Sequence, residues 1–138
     1  MGERGQISLE YLIVVGFVVF AVIIILGVSL FYTSGAQDQI KLNQLYTFAN
    51  KITTSAESVY YAGEPSKVTI TAFLPDGVQN IQVISDSIVF TIVTSSGISV
   101  TAFESNVPLN SPTTISINEG LKRLVIRAGA DRVYVTEA

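Results

Sequence analysis

From Tyr11 to Tyr32 the chain carries no charge, and Gly16, Gly27 and Ser29 are the main breaks in a run of Leu, Val, Ile, Phe and Ala. Those 22 residues make about 33 Å of helix at ~1.5 Å per residue, which spans a hydrocarbon core of about 30 Å. Val and Ile favour strands in water, but the run is too long for one strand. In lipid a single segment satisfies its own backbone only as a helix. A cleaved secretory signal has a shorter apolar region, roughly 7–15 residues, ending at small residues. Thr33-Ser34-Gly35-Ala36 is a poor site of that kind, so the run reads as a retained membrane helix. Arg4 offset by Glu3 leaves little positive-inside bias. The N-terminus is placed inside because the β-rich remainder looks exported.

Helical periodicity continues past the membrane segment. Leu45, Phe48, Ala49, Ile52, Ala56, Val59 and Tyr60 recur every three or four residues and mark one apolar stripe. Lys41, Asn50, Lys51, Glu57 and Ser58 lie mostly off it. The pattern stops at Tyr61-Ala62-Gly63-Glu64-Pro65, where Gly63 suits a left-handed cap and Pro65 cannot easily continue the helix. Thr33-Ser34-Gly35-Ala36 is expected to bend or loosen the helix between its two halves.

From Lys67 the period becomes two. Val68, Ile70, Ala72 and Leu74 alternate with Lys67, Thr69, Thr71 and Phe73 up to the turn Pro75-Asp76-Gly77. Further strands are expected at 78–85, 87–94, 98–104, 113–117, 121–127 and 132–136, punctuated by Ser95-Ser96-Gly97, Asn118-Glu119-Gly120 and Ala128-Gly129-Ala130-Asp131. Such spacing points to an antiparallel sandwich. About seventy residues make a small core, for which the Leu45–Tyr60 stripe is the natural lid. The expected fold is therefore α+β, with a long N-terminal helix packed on a C-terminal antiparallel β-sandwich. Its segments are 1–5, 6–62 (with 11–32 in the membrane) and 67–138.

Cys, His and Trp are absent and the net charge is −3 over 138 residues. Disulfides, thiolate chemistry and Cys/His metal sites are excluded, and no cofactor is indicated. The charge balance gives no general attraction to nucleic acid. Lys122, Arg123, Arg127 and Arg132 crowd together but are interleaved with Glu119, Asp131 and Glu137, and read as an ordinary solvated face. The Ser/Thr-rich strands present no catalytic constellation, with no His to activate a hydroxyl; an enzyme is not expected.

The opening Gly5-Gln6-Ile7-Ser8-Leu9-Glu10-Tyr11-Leu12-Ile13-Val14 resembles the class III signal peptide of archaeal type IV pilin-like proteins, QxSxExxxL. Gln6, Ser8 and Glu10 match, and Val14 stands where the pattern has Leu. The resemblance covers about the first 35 residues and implies cutting by a prepilin peptidase between Gly5 and Gln6. It also implies an assembly ATPase and a polytopic membrane platform protein as partners. The mature chain would form a helical homopolymer, passing from the membrane to an extracellular filament serving adhesion or cell contact.

The residues agree physically with that expectation. A cut before the apolar run leaves the run attached, and Gly5 lets the backbone approach a protease. Glu10 then lies one turn from a new α-amino group on Gln6. A carboxylate at mid-bilayer costs about 2.5–3.5 kcal/mol on insertion scales, but near a helix end it reaches the interface. Buried among packed helices it needs a partner, and the Gln6 amine would set axial register. Gly16, Gly27 and Ser34, spaced 11 and 7 apart, share one face as a possible helix-packing seam. The alternative function is a monomeric, membrane-anchored envelope module displaying a ligand-binding β domain. No Asn-x-Ser/Thr acceptor exists, since Asn110-Ser111-Pro112 fails at its third position.

Overall fold

The computed structural model describes the backbone of residues 2–138 and the side chains of residues 5–138. Of the expected leader 1–5, Met1 and the side chains of residues 2–4 lie outside the described residues. The chain divides into two compact units, Met1–Gln37 and Asp38–Ala138. Helix α1 (Gly2–Ala62) contributes to both. In the first unit it is long and apolar enough to cross a membrane. Every large apolar side chain from Ile7 to Tyr32 is exposed, Phe31 at 83%.

The expected break in the helix at Thr33-Ser34-Gly35-Ala36 is not there, because all four residues are helical. A lone helix-interior Gly costs only about 1 kcal/mol relative to Ala, and no Pro removes a helix bond. Thr33 instead donates its hydroxyl to the Ser29 carbonyl at 2.8 Å, a local bond a helix accommodates.

In the second unit the apolar stripe is buried as expected. Leu45, Phe48, Ala49, Ile52, Ala56 and Val59 all enter the core. The helix ends at Gly63, whose φ of 76° is the left-handed cap and whose amide reaches the Val59 and Tyr60 carbonyls at 3.1 Å. Seven strands follow: β1 (Lys67–Leu74), β2 (Val78–Ile84), β3 (Ser87–Thr94), β4 (Gly97–Glu104), β5 (Leu109–Asn110), β6 (Gly120–Ala128) and β7 (Val133–Glu137). They form a four-stranded sheet, β1-β6-β7-β5, and a three-stranded sheet, β2-β3-β4.

The two sheets approach each other on one side, where β2 meets β5 and the Leu109 amide bonds the Ser85 carbonyl at 2.6 Å. On the other side α1 fills the opening between the edge strands β1 and β4. Lys51 Nζ donates to the Thr71 carbonyl of β1 at 2.6 Å, while Tyr46 lies edge-on to Phe103 of β4 at 5.8 Å. Phe48 stands between them and meets Phe90 of β3 at 6.0 Å. Helix polar groups are thus spent at the rim and its apolar groups inside, shielding two edges that would otherwise invite pairing.

Two expectations need correction. Residues 113–117 form no strand, and strand pairing is taken instead by Leu109–Asn110. Pro112 removes a donor from this stretch. Ser111 Oγ bonds the Thr113 and Val135 carbonyls, and Ile115 plugs the core, so side chains hold the segment without a ladder. The sandwich is also not wholly antiparallel, because β5 pairs parallel to β7. The chain reaches β5 from the other sheet and leaves by a long irregular stretch, so no hairpin dictates an antiparallel pair.

Candidate functional site

The residues expected from the sequence to direct processing lie on the first turns of α1. Gln6, Glu10 and Val14, four apart, share one face, and Ser8 lies on the opposite side. All are exposed, as is Gly5. A Cβ built on Gly5 meets no neighbouring atom within 4 Å. Among the described residues Glu10 has no hydrogen bond or ion pair. In the uncut chain Gln6 N is a peptide nitrogen, so the helix itself supplies no counter-charge there. Gly16 and Gly27 are equally open, with nothing within 4 Å of a built Cβ. The expected seam, continued by exposed Ser34, is therefore uncovered among the described residues.

The β domain holds a polar cluster that the sequence did not announce. Lys122 reads as part of a solvated basic face but occupies an inward position of β6, between exposed Leu121 and Arg123, and is only 8% exposed. This corrects the expectation for that residue. Lys122 Nζ donates to Ser116 Oγ and lies 3.6 Å from Glu137 Oε1. Ser116 in turn donates its hydroxyl to Glu137 Oε1 at 3.0 Å and its amide to Oε2 at 2.6 Å. The Ser116 amide, more than any other group, holds the Glu137 carboxyl below the usual range; partial burial opposes it, and the Ser116 hydroxyl and Lys122 reinforce it. Ser116 spends its hydroxyl proton on Glu137 and accepts from Lys122. The trio therefore ties the irregular 111–119 segment to β6 and β7, and does not form an activated nucleophile. Inward placement depends on strand phase relative to neighbours, which the alternation of β6 signals only once its apolar positions Leu124 and Ile126 fix the parity.

A second polar contact holds the helix near the β3–β4 turn. Asp38 accepts the Ser95 amide at 3.0 Å and also the Ser95 hydroxyl. The Ser95 hydroxyl, then the amide, holds the Asp38 carboxyl below its ordinary value. Nearby, Lys41 lies 3.5 Å from Asp76 in the β1–β2 turn, and Asn106 donates to Glu57 at 2.7 Å farther along the helix.

Several grooves mark the surface of this domain. One of about 450 Å³ runs between α1 and β1, walled by Ile40, Phe48, Phe73 and Leu121. Another of about 420 Å³ crosses the outer face of the four-stranded sheet between Lys67, Arg127 and Tyr134. Among the described residues no group of carboxylates is arranged to hold a metal ion. Comparisons with family models, with curated proteins and with solved structures found no match to this chain.

Proposed function

We propose that this chain is a structural subunit of an archaeal type IV pilus-like surface filament, cut by a prepilin peptidase between Gly5 and Gln6. The observation that carries the reading is the placement of Gln6, Ser8 and Glu10 immediately before an apolar helical surface that no other part of the described residues covers. A bilayer covers such a surface before assembly, and neighbouring helices cover it afterwards. An assembly ATPase and a membrane platform protein would drive that exchange. Hydrophobic helices then form the filament core through contacts that repeat without closing, and the β domains form an extracellular surface for adhesion or cell contact. The test is intact-mass measurement of the chain from its own membranes together with electron microscopy of surface filaments. Loss of residues 1–5 and filament density that follows this sequence support the proposal.

One observation favours a second reading, a membrane-anchored binding module. The groove beside Ile40, Phe73 and Leu121 has the size of a small-ligand site and mixes those apolar side chains with Asn43, Gln44 and Lys51. An unprocessed chain that stays monomeric in the membrane would select this reading.

A further inference from the structure

The basic side chains of the β domain are segregated by sheet. Strands β2, β3 and β4 contain no Lys or Arg, and their span holds only Asp86 and Glu104 as charged residues. All the Lys and Arg residues after Lys51 belong to β1, β6 or the β6–β7 turn. Lys67 and Arg127 are direct cross-strand partners, as are Thr71 and Arg123, and all four point outward from the four-stranded sheet. Like charges set directly opposite each other are unfavourable unless something of opposite sign meets them.

Each outward face also carries an apolar patch. On the four-stranded sheet it is the cross-strand pair Phe73–Leu121, with Leu121 75% exposed. On the three-stranded sheet it is the cross-strand pair Val93–Ile98 with Val100, and Ile98 and Val100 are 68% and 66% exposed. Glu104 lies farther along the same face of β4, opposite Ser87, with Asp86 in the adjoining turn. The outward strand positions of one face are therefore apolar and basic, with Glu119 and Asp131 confined to its flanking turns, and the other face is apolar with an acidic rim. They are the two opposite outer surfaces of one sandwich.

From this complementarity we infer that the two faces dock on each other between copies of this chain, the basic face of one β domain on the acidic face of the next. Two different patches on opposite sides of one domain make a heterologous contact, which repeats without closing into a dimer. The opposite charges select partner and register, and the apolar centres exclude water. The inference deepens the filament proposal and rests on it for its setting, but the contact itself requires only a second copy.

The chain has no cysteine, so single thiols report the contact cleanly. In the full-length protein in its own membranes, Leu121→Cys and Val100→Cys are made singly and together and treated with a short bis-maleimide. A multimer ladder is expected from the double variant, dimers from co-expressed singles, and neither from one single variant alone. Adding R123E and R127E should abolish the ladder, and further adding D86K and E104K should restore it. Matching melting curves of the exposed-site variants show that folding is intact. Filaments that form without any ladder would overturn this contact and leave the filament proposal standing. A ladder in membranes that yield no filaments would support the contact and count against the filament. A ladder indifferent to both charge reversals would overturn the paired-face assignment.

Discussion

Lys122 and Glu137 face each other at 3.6 Å from neighbouring regions of β6 and β7, with Ser116 hydrogen-bonded to both. The pair fastens an otherwise strand-free segment to the sheet that carries the chain's C-terminal end. Glu137→Gln keeps the shape but leaves the buried ammonium without its counter-charge. A loss of about 1–3 kcal/mol is expected, the cost of an unsatisfied buried polar group. Chemical denaturation with an unchanged midpoint would show that the trio contributes nothing. Lys122→Met should be better tolerated than Glu137→Gln, because it removes the buried charge and leaves the more exposed partner to water.

Acid should loosen the same domain. Glu137 and Asp38 both have carboxyls held below their ordinary values in the folded chain. Their contribution is complete above the unfolded values of about 3.9–4.3 and is lost as pH falls through the lowered folded values. Stability should therefore be flat from neutral pH to about 5 on their account and fall below about 4. In Glu137→Gln the acid-induced fall should be shallower, measured as melting temperature against pH.

Phe48 tests whether α1 is structurally part of the sandwich. Its ring meets Phe90 and is 1% exposed. Phe48→Ala should cost about 3–5 kcal/mol, and a variant that melts with the parent would mean that the helix is not the lid. Removing everything before Lys67 should be more damaging than removing residues 1–36, since the second truncation keeps the whole Leu45–Tyr60 stripe.

Processing should depend on Gly5. Gly5→Val places a β-branched side chain where the backbone enters the peptidase, so the uncut precursor should accumulate. Normal processing of this variant, or a cut elsewhere by mass spectrometry, refutes the assignment.

Glu10 separates processing from assembly. Glu10→Gln removes the charge and eases membrane insertion, so the subunit should still be inserted and cut before Gln6. Filaments should nonetheless be scarce, because the buried Gln6 amine then lacks its counter-charge. Abundant normal filaments would return Glu10 to an incidental juxtamembrane charge. The N-terminal mass must come from the same sample, since cyclisation of Gln6 would remove the amine and give the same result.

The sequence by itself determined the elements whose periods are long and uninterrupted. The run from Tyr11 to Tyr32 had only one reading as a helix, and Leu45 to Val59 declared which helical face would be buried. The alternation from Val68 to Leu74 similarly set the inward face of β1. Only the tertiary structure decided features that depend on a distant neighbour. Thr33–Ala36 stays helical because no local break is strong enough, while 113–117 fails as a strand because Ser111, Ile115 and Ser116 find better partners across the domain. Lys122 turns inward because β6 must keep Leu124 and Ile126 in the core, and Glu137, fifteen residues later, is there to receive it. The proposed processing motif is a local pattern on one helix, so its residues could be named without the tertiary structure. The opposed charged faces could not, since a charge acquires a side only when strands 67–74 and 120–128 are paired and the other sheet is laid against them.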